Sequence, residues 1–171
     1  AIALLAPFIA PQNPYDLAQL DIMDGRLPPG SKSMDGMTFW LGTDDQGRDL
    51  LSAVLYGLRV SLTVALVATS IALVIGVVAA LFASYFGGKV DAILMRLVDL
   101  QLAFPSILTA LVLVALLGTG LDKVIIAITL SQWAYFARTL RSAAMVERTK
   151  EYIDAARTLK FSSSRIMFRH L

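Results

Sequence analysis

The chain has 171 residues, 57% of them apolar, with a mean hydropathy of +0.68 and a formal charge of only +2. Soluble domains are about 45–50% apolar, and one water-soluble core of this size cannot hide several separate apolar runs of membrane-spanning length. The absence of cysteine excludes a disulfide framework, a thiolate metal site and a cysteine nucleophile, and the composition favours the membrane class.

Residues 1–11 read as the outer end of a truncated first span; a signal-peptide core would need a preceding basic region and a cleavage pattern. Residues 12–57 contain Pro14, Pro28, Pro29 and Gly30 in a stretch too polar for lipid, so they form an extramembrane loop. Within it Thr43 or Asp44 can cap a helix, and Leu50, Leu51, Val54, Leu55 and Leu58 repeat along one helical face. That pattern predicts an amphipathic helix at the membrane interface. The oxygen-rich run from Thr43 to Asp49 also suggests calcium, but it lacks the spacing and terminal glutamate of a calcium loop.

Residues 58–88 form the clearest span, since no charge occurs between Ser61 and Gly88 and about 20 apolar residues suffice to cross the hydrocarbon. Gly76, Ala80 and Ser84, flanked by Ala79, Ala83 and Gly87, repeat every four residues and allow another helix to approach closely. The seam serves either a partner subunit or ordinary packing within the chain. Gly87, Gly88 and Lys89 read as a tight turn.

A second span covers residues 91–117, with Pro105 expected to kink it by removing one backbone hydrogen bond. Asp99 is the acid well inside it, and Arg96, three residues earlier on the same face, is its expected ion-pair partner. Residues 121–140 form a third span. Its uncharged stretch, Val124 to Ala137, is short enough for a re-entrant or buried helix, but Lys123 and Arg138 can snorkel and extend it. The fold expected is therefore an all-α transmembrane helical bundle.

Lys and Arg placement sets the orientation. Residues 12–57 hold three Lys or Arg against seven Asp, while residues from Arg138 onward hold eight Lys or Arg. Basic segments beside membrane ends stay in the cytoplasm, which puts 138–171 inside and 12–57 outside, as three crossings require. The segment 141–171 reads as helix, break, helix: Arg141 to Arg157 is rich in helix formers, and Ser162, Ser163 and Ser164 offer a new N-cap before Ile166. Small Ala155 and Ala156 near the corner would leave a projection that another protein's groove could grip. The same charges also suit an interfacial helix on anionic lipid.

The stretch EYIDAARTLKFSSSRIMFRHL resembles the cytoplasmic EAA loop of ATP-binding-cassette importer permeases. GTDDQGRDLLSAVLYGLRVSL resembles the segment before the second span in their dipeptide and oligopeptide branch, and with RLVDLQLAFPSI between them the likeness covers nearly the whole chain. Asp154, Ala155 and Ala156 match the Glu-Ala-Ala element, with Asp154 a conservative departure, and Lys160 stands where the family has glycine. The resemblance implies an ATPase-coupling loop carrying Glu151, Tyr152, Asp154, Ala155, Ala156, Lys160, Ser162, Arg169 and His170. It implies a bacterial or archaeal plasma membrane location, with two further spans expected after Leu171.

The partners implied are a second permease subunit, cytoplasmic ATP-binding subunits, an extracytoplasmic substrate-binding protein and membrane lipid, with no nucleic acid. No Gly-x-x-x-x-Gly-Lys-Ser/Thr phosphate loop occurs, so ATP hydrolysis is expected on a separate subunit, and no catalytic, cofactor or metal residue is assigned. The transported solute would be a dipeptide or oligopeptide. Nickel or another small solute is the alternative within the family, and a proton-coupled secondary transporter the alternative outside it.

Overall fold

The computed structural model describes residues 3–33 and 36–171, which divide into two compact units, 1–64 and 65–171. In the first unit the short helix α1, Ala6–Ile9, precedes two single 3-10 turns and a small antiparallel hairpin of β1, Ser31–Lys32, and β2, Thr38–Phe39. Side chains replace regular ladders here. The Thr43 hydroxyl donates to the Asp24 carbonyl and accepts from Leu27 N at 2.8 Å, while Ser33 donates to Asp24 Oδ2 at 2.6 Å. Phe39 of the hairpin, 1% exposed, is the largest fully buried side chain in this unit.

Asp49, rather than Thr43 or Asp44, caps the helix that follows. Its Oδ2 accepts from Ser52 N at 2.8 Å and from the Ser52 hydroxyl at 2.6 Å, so one side chain satisfies a backbone donor that the first turn leaves free. Gln12 braces the cap by accepting from Asp49 N at 2.7 Å. Asp44 instead serves its own turn. Burial opposes its ionisation, but hydrogen bonds from Arg48 N and Gln46 N, together with the Arg48 guanidinium, hold its carboxyl below the usual range. With that carboxylate occupied by the chain's own donors, the turn is built as structure rather than as a cation loop.

Helix α2 spans Leu50–Phe86 without a break, so the segment expected as a separate interfacial helix is the first turns of the long apolar helix. At 1.5 Å per residue its 37 residues reach about 55 Å. Among the described residues it is the one unbroken helix long and apolar enough to cross a membrane. Gly87 and Gly88, at φ of 63° and 49°, turn the chain into α3, Gly88–Ala103.

Pro105 does more than kink the next helix. Phe104 is extended at φ −96° and ψ 138°, as a residue before proline must often be, and α3 and α4, Ser106–Leu117, meet at 89°. The expected 91–117 helix is thus two helices. Gly118 and Gly120 then turn the chain into α5, Leu121–Glu147.

The core of this second unit is made by small residues. Ala68, Ala72 and Ala83 on α2 and Ala127, Ala134 and Ala137 on α5 are fully buried. A Cβ placed on Gly76 would lie 2.5 Å from Phe136 Cβ and 2.9 Å from Ala137 N, so the two backbones touch at this point. Thr129 adds a hydroxyl bond to the Ala68 carbonyl at 3.3 Å, and Val98 of α3 packs into the same cluster as Ala134 and Ala137. The Gly76 seam is therefore filled from within the chain. Gly76→Leu should force α2 and α5 apart at a cost of about 1–3 kcal/mol, lowering the thermal midpoint of the detergent-solubilised full-length protein.

Candidate functional site

The single helix expected over Arg141 to Arg157 is parted at Arg148–Lys150: its first part is the end of α5, and beyond it the segment folds as a helical hairpin, α6, Glu151–Thr158, and α7, Ser163–Arg169. Its sequence suits both ends of α6: Glu151 and Asp154 lie in the first turn and Arg157 in the last, each favourable to the helix dipole. The corner is a Schellman turn. Phe161 N donates to the Ala156 carbonyl at 3.1 Å and Lys160 N to the Arg157 carbonyl at 2.9 Å, with Lys160 left-handed at φ 55°. Lys160 therefore adopts the conformation for which glycine is the usual choice, and the lysine strains the turn without changing its form.

Ser162 is the N-cap of α7 by backbone conformation, φ −61° and ψ 146°, although its hydroxyl lies beside Ser164 Oγ at 3.4 Å instead of bonding the helix. Inside the hairpin, Ile153, Ala156 and Ile166 form a buried cluster, closed by Phe161, Leu171 and Tyr85 of α2. Ala156 thus faces inward. It does not offer the space to a partner that its small size suggested, whereas Ala155, Leu159 and Phe168 lie on the exposed side.

Hydrogen bonds of Tyr85 and Tyr152 fasten the hairpin to α2 and α5, and Arg148 joins those two helices beside it. The Tyr85 hydroxyl donates to Ser163 Oγ at 3.0 Å, and Arg148 Nη1 donates to the Ser84 carbonyl at 2.6 Å, satisfying one of the acceptors left free at the end of α2. Tyr152 Oη lies within hydrogen-bonding reach of the Glu147 carboxylate and of the His170 carbonyl, 3.1 Å away. The bond to Glu147 foremost, with desolvation and the Glu147 charge, holds the Tyr152 phenol above its ordinary pKa. His170 stacks on Phe161 at 5.9 Å, and the Arg165 guanidinium covers that ring at 4.6 Å. Of the remaining expected loop residues, Glu151 and Arg169 are exposed, and Asp154 pairs with Arg157 at 3.3 Å.

The expected Arg96–Asp99 pair does not form. Asp99 pairs with Arg138 of α5, while Arg96 is exposed and makes no ion pair among the described residues. Two causes combine: α5 crosses α3 at Val98, and a cation three residues before an acid is the weaker orientation along one helix. A second pair that sequence reading missed joins Asp91 to Arg141 through both Nε and Nη2. The available signal was the placement of Arg138, Arg141 and Arg148 within about 80° of arc on one helical face.

An apolar helix of membrane-spanning length, a proline-broken pair packed on a charged fifth helix, and the hairpin beyond it are the architecture of a helical membrane protein. The chain belongs to the binding-protein-dependent transport system inner membrane component family, whose model matches residues 72–171. It is 38% identical over 167 residues to the di/tripeptide transport system permease protein DppC of Pseudomonas aeruginosa, covering 97% of this chain and 54% of that one. It is 33% identical over 170 residues to the oligopeptide transport system permease protein OppC of Bacillus subtilis, covering 99% and 54%. The nickel transport system permease protein NikC of Escherichia coli is 37% identical over 158 residues, covering 92% and 55%. The chain spans about half the length of these relatives.

Lys160→Gly should relieve the left-handed strain and stabilise the hairpin by about 1 kcal/mol. Ala156→Glu should instead disrupt it, because a carboxylate would enter the Ile153–Ile166 cluster. Amide exchange across 151–169 in the full-length protein reads both, slower for the first and faster for the second.

Proposed function

We propose that this chain is part of a membrane permease subunit of an ATP-driven importer of dipeptides or oligopeptides, coupled to a separate ATPase through residues 141–171. One observation carries the coupling: a strained but complete helical hairpin presents Leu159, 67% exposed, and Phe168, 58% exposed, beyond the end of α5. Large apolar side chains left outside a hairpin that already has its own core are suited to a partner's groove. In this reading 12–57 lies outside and 138–171 in the cytoplasm, an orientation the charge asymmetry supports. A second permease subunit and an extracytoplasmic binding protein complete the assembly.

The peptide substrate rests on the similarity to DppC and OppC, and nickel is the second reading because NikC is similar to a comparable degree. A proton-coupled mechanism has less support, since Asp99 is engaged by Arg138 and supplies no free buried carboxylate. Uptake of labelled dipeptide and of nickel by cells carrying the full-length protein separates the two substrates.

Pull-down of the full-length parent protein in detergent tests the coupling. An ATPase should copurify with wild type and be lost by about tenfold or more from Leu159→Asp, whose side chain lies outside the hairpin core. Equal recovery with both forms, or none with either, overturns the reading.

A further inference from the structure

Arg138 and Arg141 on one face of α5, with Arg148 at its C-cap, hold three different places. Arg148 donates to the Ser84 carbonyl and packs over Gly87, where an added Cβ would lie 3.1 Å from Nη1. Arg141 grips Asp91 in the first turn of α3 with two donors, and Arg138 reaches Asp99 further along the same helix. Asp91 and Arg141 are the more enclosed pair, their side chains 19% and 28% exposed against 54% and 50% for Asp99 and Arg138. The end of α2, the glycine turn and α3 are thus fixed to the half of α5 from which the hairpin emerges.

We infer that Arg138, Arg141 and Arg148 are positioning residues that clamp α3 and the α2–α3 turn to α5, so that displacement of the hairpin is carried into α3 as one rigid body. The inference rests on the coupling role proposed for 141–171. A fork held by two parallel hydrogen bonds resists rotation as well as separation, which a point charge does not. At its other end α3 stops at Phe104–Pro105, where the helical hydrogen bonds are interrupted, so α3 can tilt without bending α4. Packing at Val98 alone would permit α3 to slide, because small apolar contacts carry no directional bond.

The test uses the full-length permease with its ATPase and binding protein in proteoliposomes, reading solute taken up per ATP hydrolysed. Arg141→Gln should still bind the ATPase and leave its hydrolysis running, while uptake per ATP falls by about tenfold or more. Joining Asp91→Cys to Arg141→Cys with a short bifunctional thiol reagent should restore the ratio, because the covalent link replaces the clamp. An unchanged ratio in Arg141→Gln, or a bridged protein that binds the ATPase but stays uncoupled, overturns the inference.

Spin labels at Leu97 and Thr158 give a readout that needs no partner. The distance distribution should be narrow in wild type and broad in Arg141→Gln, with Arg148→Gln as a second variant should the first not fold. Narrow distributions in the variants overturn the clamp whatever the ATPase does. Absence of ATPase from the wild type, with the expected broadening, would sink the importer reading and leave the clamp standing.

Discussion

Backbone contact between α2 and α5 at Gly76 is the constraint on which the second unit depends. No side chain fits between the helices there, and Ala68, Ala72, Ala134 and Ala137, fully buried on the same two helices, are small as well. In a lipid solvent apolar burial supplies little preference for one helix pairing over another, and close van der Waals contact takes its place. The register set at this crossing brings Arg148 to the end of α2. It also sets the face of α5 that α3 meets.

Polar contacts then do what small residues cannot, which is to orient the parts that are not close-packed. Arg148 ends α2, Arg141 and Arg138 hold α3, and Tyr85 with the Tyr152–Glu147 bond ties the hairpin back to the helices that carry it. These bonds cluster at one end of the bundle, around the α2–α3 turn and the hairpin. The Asp91–Arg141 and Asp99–Arg138 pairs there neutralise their charges and join two helices that are distant in sequence.

The hairpin illustrates how a local conformation outlasts the residue best suited to it. Lys160 adopts the left-handed form because the bonds from Phe161 to Ala156 and from Lys160 to Arg157, with Phe161 packed on Ile153 and Ile166, outweigh the strain of one side chain. The corner was legible from the serines after it and the helix formers before it. The inward direction of Ala156 was not, because both neighbouring alanines are equally small and only the packed helix α7 distinguishes their faces.

By itself the sequence determined what depends on composition along the chain: the uncharged run that makes α2, the glycine turn after it, a disturbance at Pro105, and the corner before α7, though not the parting at Arg148–Lys150 of the helix read over 141–157. Even there it underestimated the proline, since a kink and a right-angle break begin from the same missing donor and differ in what the next helix packs against. Tertiary structure decided the partners. Asp99 takes Arg138 instead of Arg96, Asp49 instead of Thr43 caps α2, and Gly76 meets α5 within the chain. Each of those choices is a competition between groups of the same chemistry, and a sequence lists the competitors without the distances that separate them.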